Sequence, residues 1–319
     1  MTDNAQPKSY RYLFGPVPSR RLGLSLGIDL FPQKVCNFNC PYCECGPTTR
    51  MPGERGEFVP FEDVEAELRD YLPHEGLDFI TFAGNGEPTL YSRLADVIRV
   101  IREVCDTKIA IITNSATIMF PDIRKELAMA DVVMPSLDAV RQDTMHKINR
   151  ALPSIKADAM VEGLIAFRDE FPGEIDLEIF FCKGLNDDED EVRLLAEAAA
   201  KIRPDAVQLN TVHRPGWHKK AVGLTHDEME AIAAKMREYG APHVEVIGAF
   251  VPHERRPADE DAERQVLSLV SRRAVDAQDM IRSMAMDPSE ARGLLNRLIG
   301  EGKIRQIEHE GRATFVGPE

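Results

Sequence analysis

The 319-residue chain has 43% hydrophobic and 29% charged residues, a composition typical of a globular protein with a buried core. Its formal net charge of −14 at pH 7 argues against a surface devoted to nucleic acid, because phosphate binding needs a basic face. The first twelve residues are polar and no apolar run reaches membrane-spanning length. We therefore expect a cytoplasmic protein whose cysteines stay reduced.

Strand and helix patterns alternate along residues 25–250. The strand patterns lie at 25–30, 78–83, 108–113, 131–136, 175–181, 206–210 and 243–250, and the helical patterns lie at 61–71, 92–104, 121–129, 152–171, 189–202 and 225–239. Six or seven such units predict an α/β fold whose parallel strands are joined by right-handed crossovers. A partial (β/α)6-type TIM-like barrel fits better than a doubly wound sheet, although the periodicity alone is compatible with both.

A segment rich in Pro, Arg and acidic residues around 252–261 predicts a linker between a core barrel at 1–255 and a second domain at 256–319. In that second part, helical patterns at 262–273, 277–284 and 288–300 precede two short strand patterns. This order predicts a winged helix-turn-helix. Residues 260–319 carry eleven acidic side chains against nine basic ones, so docking to a protein or domain is favoured over DNA binding.

Three cysteines, Cys36, Cys40 and Cys43, fall within eight residues of a loop that follows the first predicted strand. Clustered cysteines in a reducing compartment favour a metal site over disulfides. Three thiolates on one loop can hold an iron–sulfur cube and leave one iron open. The alternative is a structural zinc site that also uses Cys45, but such sites usually draw pairs of ligands from two separated segments.

Polar residues and glycines end or follow the next three predicted strands, where chemistry is usually found in barrels of this type. Glycines let a backbone approach a ligand closely, and a carboxylate beside them can accept from an ammonium group. In isolation each of these residues would more often be a turn or cap residue. The candidates are Gly84, Gly86, Glu87, Thr113, Asn114, Ser136 and Asp138.

The Cys-x3-Cys-x2-Cys pattern with an aromatic residue before the last cysteine resembles the radical S-adenosylmethionine (SAM) superfamily. The strand-end motifs stand in the order that this superfamily shows. Residues 15–23, Gly-Pro-Val-Pro-Ser-Arg-Arg-Leu-Gly, resemble most closely a subfamily related to the wyosine-tRNA (imidazoguanosine) synthases. The resemblance covers about residues 10–250 and leaves the predicted winged helix outside.

The resemblance implies that Cys36, Cys40 and Cys43 hold a 4Fe–4S cluster whose fourth iron chelates SAM. A one-electron donor similar to flavodoxin or ferredoxin would reduce the cluster. Cleavage of SAM would then give methionine and a 5′-deoxyadenosyl radical that abstracts hydrogen from a substrate. The seven strand-end candidates would bind SAM. Cys45 would be a bystander, because a fourth cysteine ligand would close the open iron.

The substrate is expected to be a small molecule or a peptide, since the acidic balance weighs against RNA. One alternative is a radical enzyme that modifies a tRNA base, and another is a redox-sensing, iron–sulfur regulator that binds nucleic acid. The strand-end motifs favour the enzyme, because a sensor has no need of them. No catalytic residue is assigned. The candidate substrate-binding residues are Arg20, Arg21, Asn210, His213 and Arg214.

Overall fold

The computed structural model describes residues 10–19, 21–213, 216–247, 262–270, 275–277, 288–309 and 312–318. An eight-stranded sheet forms its centre, and each strand pairs with its neighbour in the sequence. The strands are β1 (Leu13–Ser19), β2 (Gly23–Ile28), β3 (Phe79–Phe82), β4 (Lys108–Thr113), β5 (Val132–Pro135), β6 (Glu174–Phe181), β7 (Ala206–Thr211) and β8 (Val244–Val246). β1 is antiparallel to β2, and the other pairs are parallel.

Seven helices connect or follow these strands: α1 (Phe61–Tyr71), α2 (Leu94–Val104), α3 (Pro121–Leu127), α4 (Gln142–Ile148), α5 (Ala157–Glu170), α6 (Glu189–Ile202) and α7 (His226–Glu238). Local chemistry fixes several of their ends. Asp188 caps α6 by accepting from the Glu191 backbone, and Thr225 with Glu228 forms a capping box at α7. None of the described helices combines the length and the apolar character needed to cross a lipid bilayer.

The strand order confirms the α/β prediction and favours a TIM-like barrel over a doubly wound sheet. In a doubly wound sheet the order reverses at a switch point, whereas here β2 to β8 follow one another without reversal. The carboxyl ends of these parallel strands therefore share one edge of the sheet. In barrel enzymes this edge carries the active site.

The sequence patterns predicted neither β1 nor α4. β1 occupies the segment that contains Pro16 and Pro18, which lack the N–H group that a central strand needs. β1 pairs on one side only, and an edge strand tolerates proline. α4 has only seven residues, too few for a clear helical period, and the helix predicted at 152–171 begins only at Ala157.

The C-terminal residues form α8 (Ala262–Val270), β9 (Val275–Asp276), α9 (Pro288–Gly300), β10 (Arg305–His309) and β11 (Arg312–Val316). The three strands form a separate sheet in the order β10-β11-β9. Val266, Leu298 and Phe315 belong to a small core that also contacts Val17 of β1. Most of the helix predicted at 277–284 lies outside the described residues.

Candidate active site

The cysteine loop, residues 31–50, leaves the carboxyl end of β2. Its first ligand candidate is anchored from both sides, because the Cys36 N–H donates to the Arg50 carbonyl at 3.1 Å and the preceding Val35 bridges to Gly86. The Cys43 N–H donates to the Cys40 carbonyl at 3.1 Å, which forms a tight turn. These backbone contacts hold all three candidate ligands at the active-site edge.

Each of the three thiols has its own N–H donor. Lys34 Nζ lies 2.9 Å from Cys43 Sγ, Asn114 Nδ2 lies 3.4 Å from Cys36 Sγ, and Asn149 Nδ2 lies 3.6 Å from Cys40 Sγ. All three cysteines are free. Hydrogen bonds to sulfur stabilise thiolate ligands and tune the potential of an iron–sulfur cluster. The donor set therefore suits a cluster held by three thiolates.

The ionisation of the thiols differs along the loop. The neighbouring Cys45 thiol and the ammonium group of Lys34 lower the pKa of Cys43 to about 5. Burial raises the pKa of Cys36 to about 11 and also raises the pKa of Cys40. The described part of the chain contains no group of three or more His, Cys, Asp or Glu side chains that could hold a single metal ion. The ligands of a cube bind three different irons instead.

The turn at residues 84–87 packs against the base of the cysteine loop and requires its two glycines. Gly84 has φ +136°, and a Cβ there would lie 2.4 Å from the Asp29 carboxyl carbon. A Cβ on Gly86 would lie 2.4 Å from the Val35 carbonyl oxygen. Asp29 also holds Asn85 in place. The Asp29 carboxylate accepts from the Asn85 N–H at 3.1 Å and from Asn85 Nδ2 at 2.8 Å.

The structure brings Glu87, Thr113 and Asn114 together, as their positions after neighbouring strands predict. Glu87 is only 2% exposed, and its carboxylate accepts from the Thr113 hydroxyl and the Asn114 N–H, both at 2.7 Å. Thr89 donates from its N–H at 3.0 Å and from its hydroxyl at 2.7 Å. Burial raises the pKa of Glu87, and these hydrogen bonds oppose the rise. The carboxylate thus fastens β3 to β4, and its contact with SAM stays a prediction.

Asp138 ties the cysteine loop to β6. Its carboxylate accepts from the Tyr42 hydroxyl, from Asn149 Nδ2 at 2.6 Å and from the Phe180 N–H at 2.9 Å. The Tyr42 ring also stacks on Phe180, with centroids 4.0 Å apart. Burial raises the pKa of Asp138 to about 6. Ser136 lies two residues earlier and is half-buried, with its N–H bonded to the Thr113 carbonyl at 2.8 Å.

The candidate substrate residues are dispersed. Arg21 Nη1 lies 2.5 Å from Glu178 Oε2 and 3.2 Å from Gln208 Oε1. Glu178 of β6 and Gln208 of β7 lie opposite each other in the parallel pairing of these strands. Asn210 is buried on β7, and His213 is exposed just beyond that strand. Arg20 and Arg214 lie outside the described residues.

Ser115, directly after Asn114, has an unfavourable backbone conformation. Its φ is +65°, its side chain is fully buried, and its hydroxyl has no hydrogen-bond partner among the described residues. A left-handed conformation costs a non-glycine residue roughly 1–2 kcal/mol, and an unpaired buried hydroxyl adds to that cost.

We expect Ser115→Gly to raise the free energy of unfolding by about 1 kcal/mol, measured by urea denaturation. Ser115→Ala is the matched control, since it removes the hydroxyl but keeps the left-handed strain. Its free energy of unfolding should rise less than that of the glycine variant. A glycine variant less stable than the wild type would show that the hydroxyl has a stabilising partner.

A fold of parallel strands with a three-cysteine loop at their carboxyl ends is the arrangement of radical SAM enzymes. The model of the radical SAM superfamily matches residues 30–196, and the chain belongs to this superfamily. It is accordingly an enzyme that uses a 4Fe–4S cluster and SAM, and enzymes of this class need an electron donor and a substrate.

Relatives cover most of the chain. The UPF0026 protein MJ1312 of Methanocaldococcus jannaschii is 32% identical over 307 residues, which are 95% of each chain. The GTPase Obg of Brachyspira hyodysenteriae is 35% identical over 308 residues, 95% of this chain but 45% of that relative, so the chain spans less than half of it. A radical SAM methyltransferase from Sphaerobacter thermophilus aligns with a TM-score of 0.48 and 19% identity, over 70% of this chain and 66% of that one.

We expect Cys45→Ala to keep its iron content and its cleavage of SAM. The Cys45 thiol donates to the Gly84 carbonyl at 3.3 Å, and a fourth thiolate ligand would close the iron that has to bind SAM. Iron and sulfide analysis, together with the yield of 5′-deoxyadenosine after anaerobic reconstitution, tests this. Loss of the cluster would instead identify Cys45 as a ligand.

The sequence did not point to Lys34, Asp29 or Trp217. A single lysine, aspartate or tryptophan in a loop carries no distinctive pattern, because such residues are most often solvated or turn-forming. Trp217 Nε1 donates to the Cys40 carbonyl at 2.8 Å, across 177 residues of sequence. The fact that it is the one tryptophan of the chain was the only available signal.

Proposed function

We propose that Cys36, Cys40 and Cys43 hold the 4Fe–4S cluster and that the enzyme abstracts hydrogen from a small molecule or a peptide. The observation that carries the proposal is the separate N–H donor beside each of these thiols, next to the 84–87 turn. The bound cluster supplies the reductive cleavage of SAM that starts hydrogen abstraction. Lys34 offsets the negative charge of the thiolates, and Asn114 and Asn149 orient two of them.

SAM would bind at the shared strand edge beside the cysteine loop. Gly84 and Gly86 allow the backbone of the turn to approach a ligand closely. The Asn114 N–H donates to Glu87 of this turn, and the Asn114 side-chain amide lies 3.4 Å from Cys36 Sγ. Ser136 is half-buried, so its hydroxyl can meet a ligand. The full set proposed for SAM is Gly84, Gly86, Glu87, Thr113, Asn114, Ser136 and Asp138.

The pair Arg21–Glu178 supports a polar substrate of small size. The Arg21 side chain is 19% exposed and the Glu178 side chain is 15% exposed, so both are mostly shielded from water. Gln208 joins them and also donates to Asp176 at 3.2 Å. Such a network offers one cation and several acceptors to a ligand that carries matching groups. We assign Arg20, Arg21, Asn210, His213 and Arg214 to the substrate side of the site.

The tRNA-modifying alternative rests on residues 15–23 and on the proposed kinship with the wyosine-tRNA synthases, and the net charge of −14 weighs against it.

We further propose that residues 256–319 form a winged helix-turn-helix that docks a protein or domain. The helices α8 and α9, the β10–β11 hairpin and the contact with Val17 support this. A third candidate function is a redox sensor that binds nucleic acid. We also propose that the protein is located in the cytoplasm.

The test is anaerobic reconstitution with iron and sulfide, followed by dithionite and SAM, with 5′-deoxyadenosine quantified. Wild-type protein should bind the cluster and form 5′-deoxyadenosine, and the triple Cys36/Cys40/Cys43→Ala variant should do neither. Cell extract that raises the yield would then guide the search for the substrate. A bound cluster without product, even in the presence of extract, would favour the sensor, and zinc in place of iron would refute both.

A further inference from the structure

Residues 216–218, which follow β7, contact the backbone of the cysteine loop. Besides the bond from Trp217 Nε1 to the Cys40 carbonyl, the His218 N–H donates to the Pro41 carbonyl at 3.3 Å. Gly216 allows this approach, since a Cβ there would lie 2.5 Å from the Pro41 carbonyl oxygen. A half-buried indole thus lies one hydrogen bond from the main chain of a proposed cluster ligand.

Three basic side chains lie next to this indole in space or in sequence. The Arg150 guanidinium carbon lies 5.2 Å from the Trp217 ring centroid, and Lys219 and Lys220 are exposed. Within the described ranges none of these three cations takes part in an ion pair, whereas many other basic side chains do, Arg55 with Glu126 among them. We call Arg150 and residues 217–220 the Trp217 surface.

We propose that the Trp217 surface is the docking site of an acidic redox protein that reduces the cluster. This inference rests on the proposed function, which places the cluster on Cys40. The step transfers one electron from the reduced donor to the oxidised cluster. No bond is formed or broken, and no proton is transferred. A chain with a net charge of −14 repels an acidic donor in general, so a local group of unpaired cations beside the cluster would select both the place and the orientation of approach.

An anionic substrate is the competing occupant of these cations. The redox partner is favoured because the contacts of residues 216–218 reach the backbone of the cysteine loop. Lys219 and Lys220 are exposed, which suits a protein-docking surface better than the recognition of a small buried ligand.

The test compares two reductants. Formation of 5′-deoxyadenosine is measured with reduced flavodoxin, an acidic flavoprotein, and separately with dithionite, which needs no docking surface. The double variant Lys219→Glu/Lys220→Glu should lose about tenfold or more of the flavodoxin-driven initial rate at low salt, and its residual rate should depend less on salt. Its dithionite-driven rate should match that of the wild type.

The matched control is Lys108→Glu/Lys201→Glu, which makes the same charge change on exposed lysines at the start of β4 and near the end of α6. It should keep most of the flavodoxin-driven rate. The proposal fails if both variants lose that rate equally or if neither does. It also fails if Lys219→Glu/Lys220→Glu loses the dithionite-driven rate, which would assign the lysines to an anionic substrate. Wild-type protein inactive with both reductants would refute the proposed function itself.

Discussion

Lys34→Met is expected to retain its cluster 10–100-fold less tightly than the wild type, the usual effect of removing a group that supports metal ligands. Lys34 Nζ lies 2.9 Å from Cys43 Sγ. Burial alone would lower the pKa of this lysine, but the nearby sulfur groups of Cys43, Cys45 and Cys36 raise it, so the side chain is a cation. Methionine fills similar space without the charge that offsets three thiolates.

The measurement is the iron and sulfide content per chain, with the visible absorption of the cluster, during dilution into buffer that contains a chelator. Lys183→Met is the matched control, because Lys183 pairs with Glu228 at 2.5 Å on a half-exposed surface. That variant should behave as the wild type does. Equal retention in the Lys34 and Lys183 variants would show that the Lys34 ammonium does not support the cluster.

Much of the fold follows from local sequence patterns. α1, α6 and β4 have the predicted bounds, because an amphipathic period or a short run of β-branched residues determines each of them without long-range help. The capping box at the start of α7 is equally local, since Thr225 and Glu228 are only three residues apart. β1 could not be predicted, since its prolines argue against a strand until its position at the sheet edge is known.

The site was predictable to the extent that it is local. The cysteines lie in one loop and the polar residues come directly after strands, so their shared edge follows from parallel pairing. The contacts that fix their geometry join distant parts of the chain. Tyr42 and Asp138 are 96 residues apart, and Cys40 and Asn149 are 109 apart. Nothing in the composition or the spacing of these residues indicates such pairs, since they arise only when the sheet has formed.

Asp138→Ala is expected to lower the free energy of unfolding of the cluster-free protein by about 3 kcal/mol. Asp138 is 2% exposed, and the substitution leaves the Tyr42 hydroxyl, the Asn149 amide and the Phe180 N–H without their acceptor. These three donors belong to the cysteine loop, the end of α4 and β6. The loss should therefore loosen the cysteine loop as well as the sheet.

Urea denaturation under anaerobic conditions measures this loss without any contribution from bound SAM. Tyr42→Phe is the matched control, because it removes a single donor to the same carboxylate and keeps the ring that stacks on Phe180 at 4.0 Å. It should cost only about 1 kcal/mol. A loss for Asp138→Ala no larger than that for Tyr42→Phe would mean that water replaces the carboxylate, and Asp138 would then matter for SAM binding rather than for holding the cysteine loop.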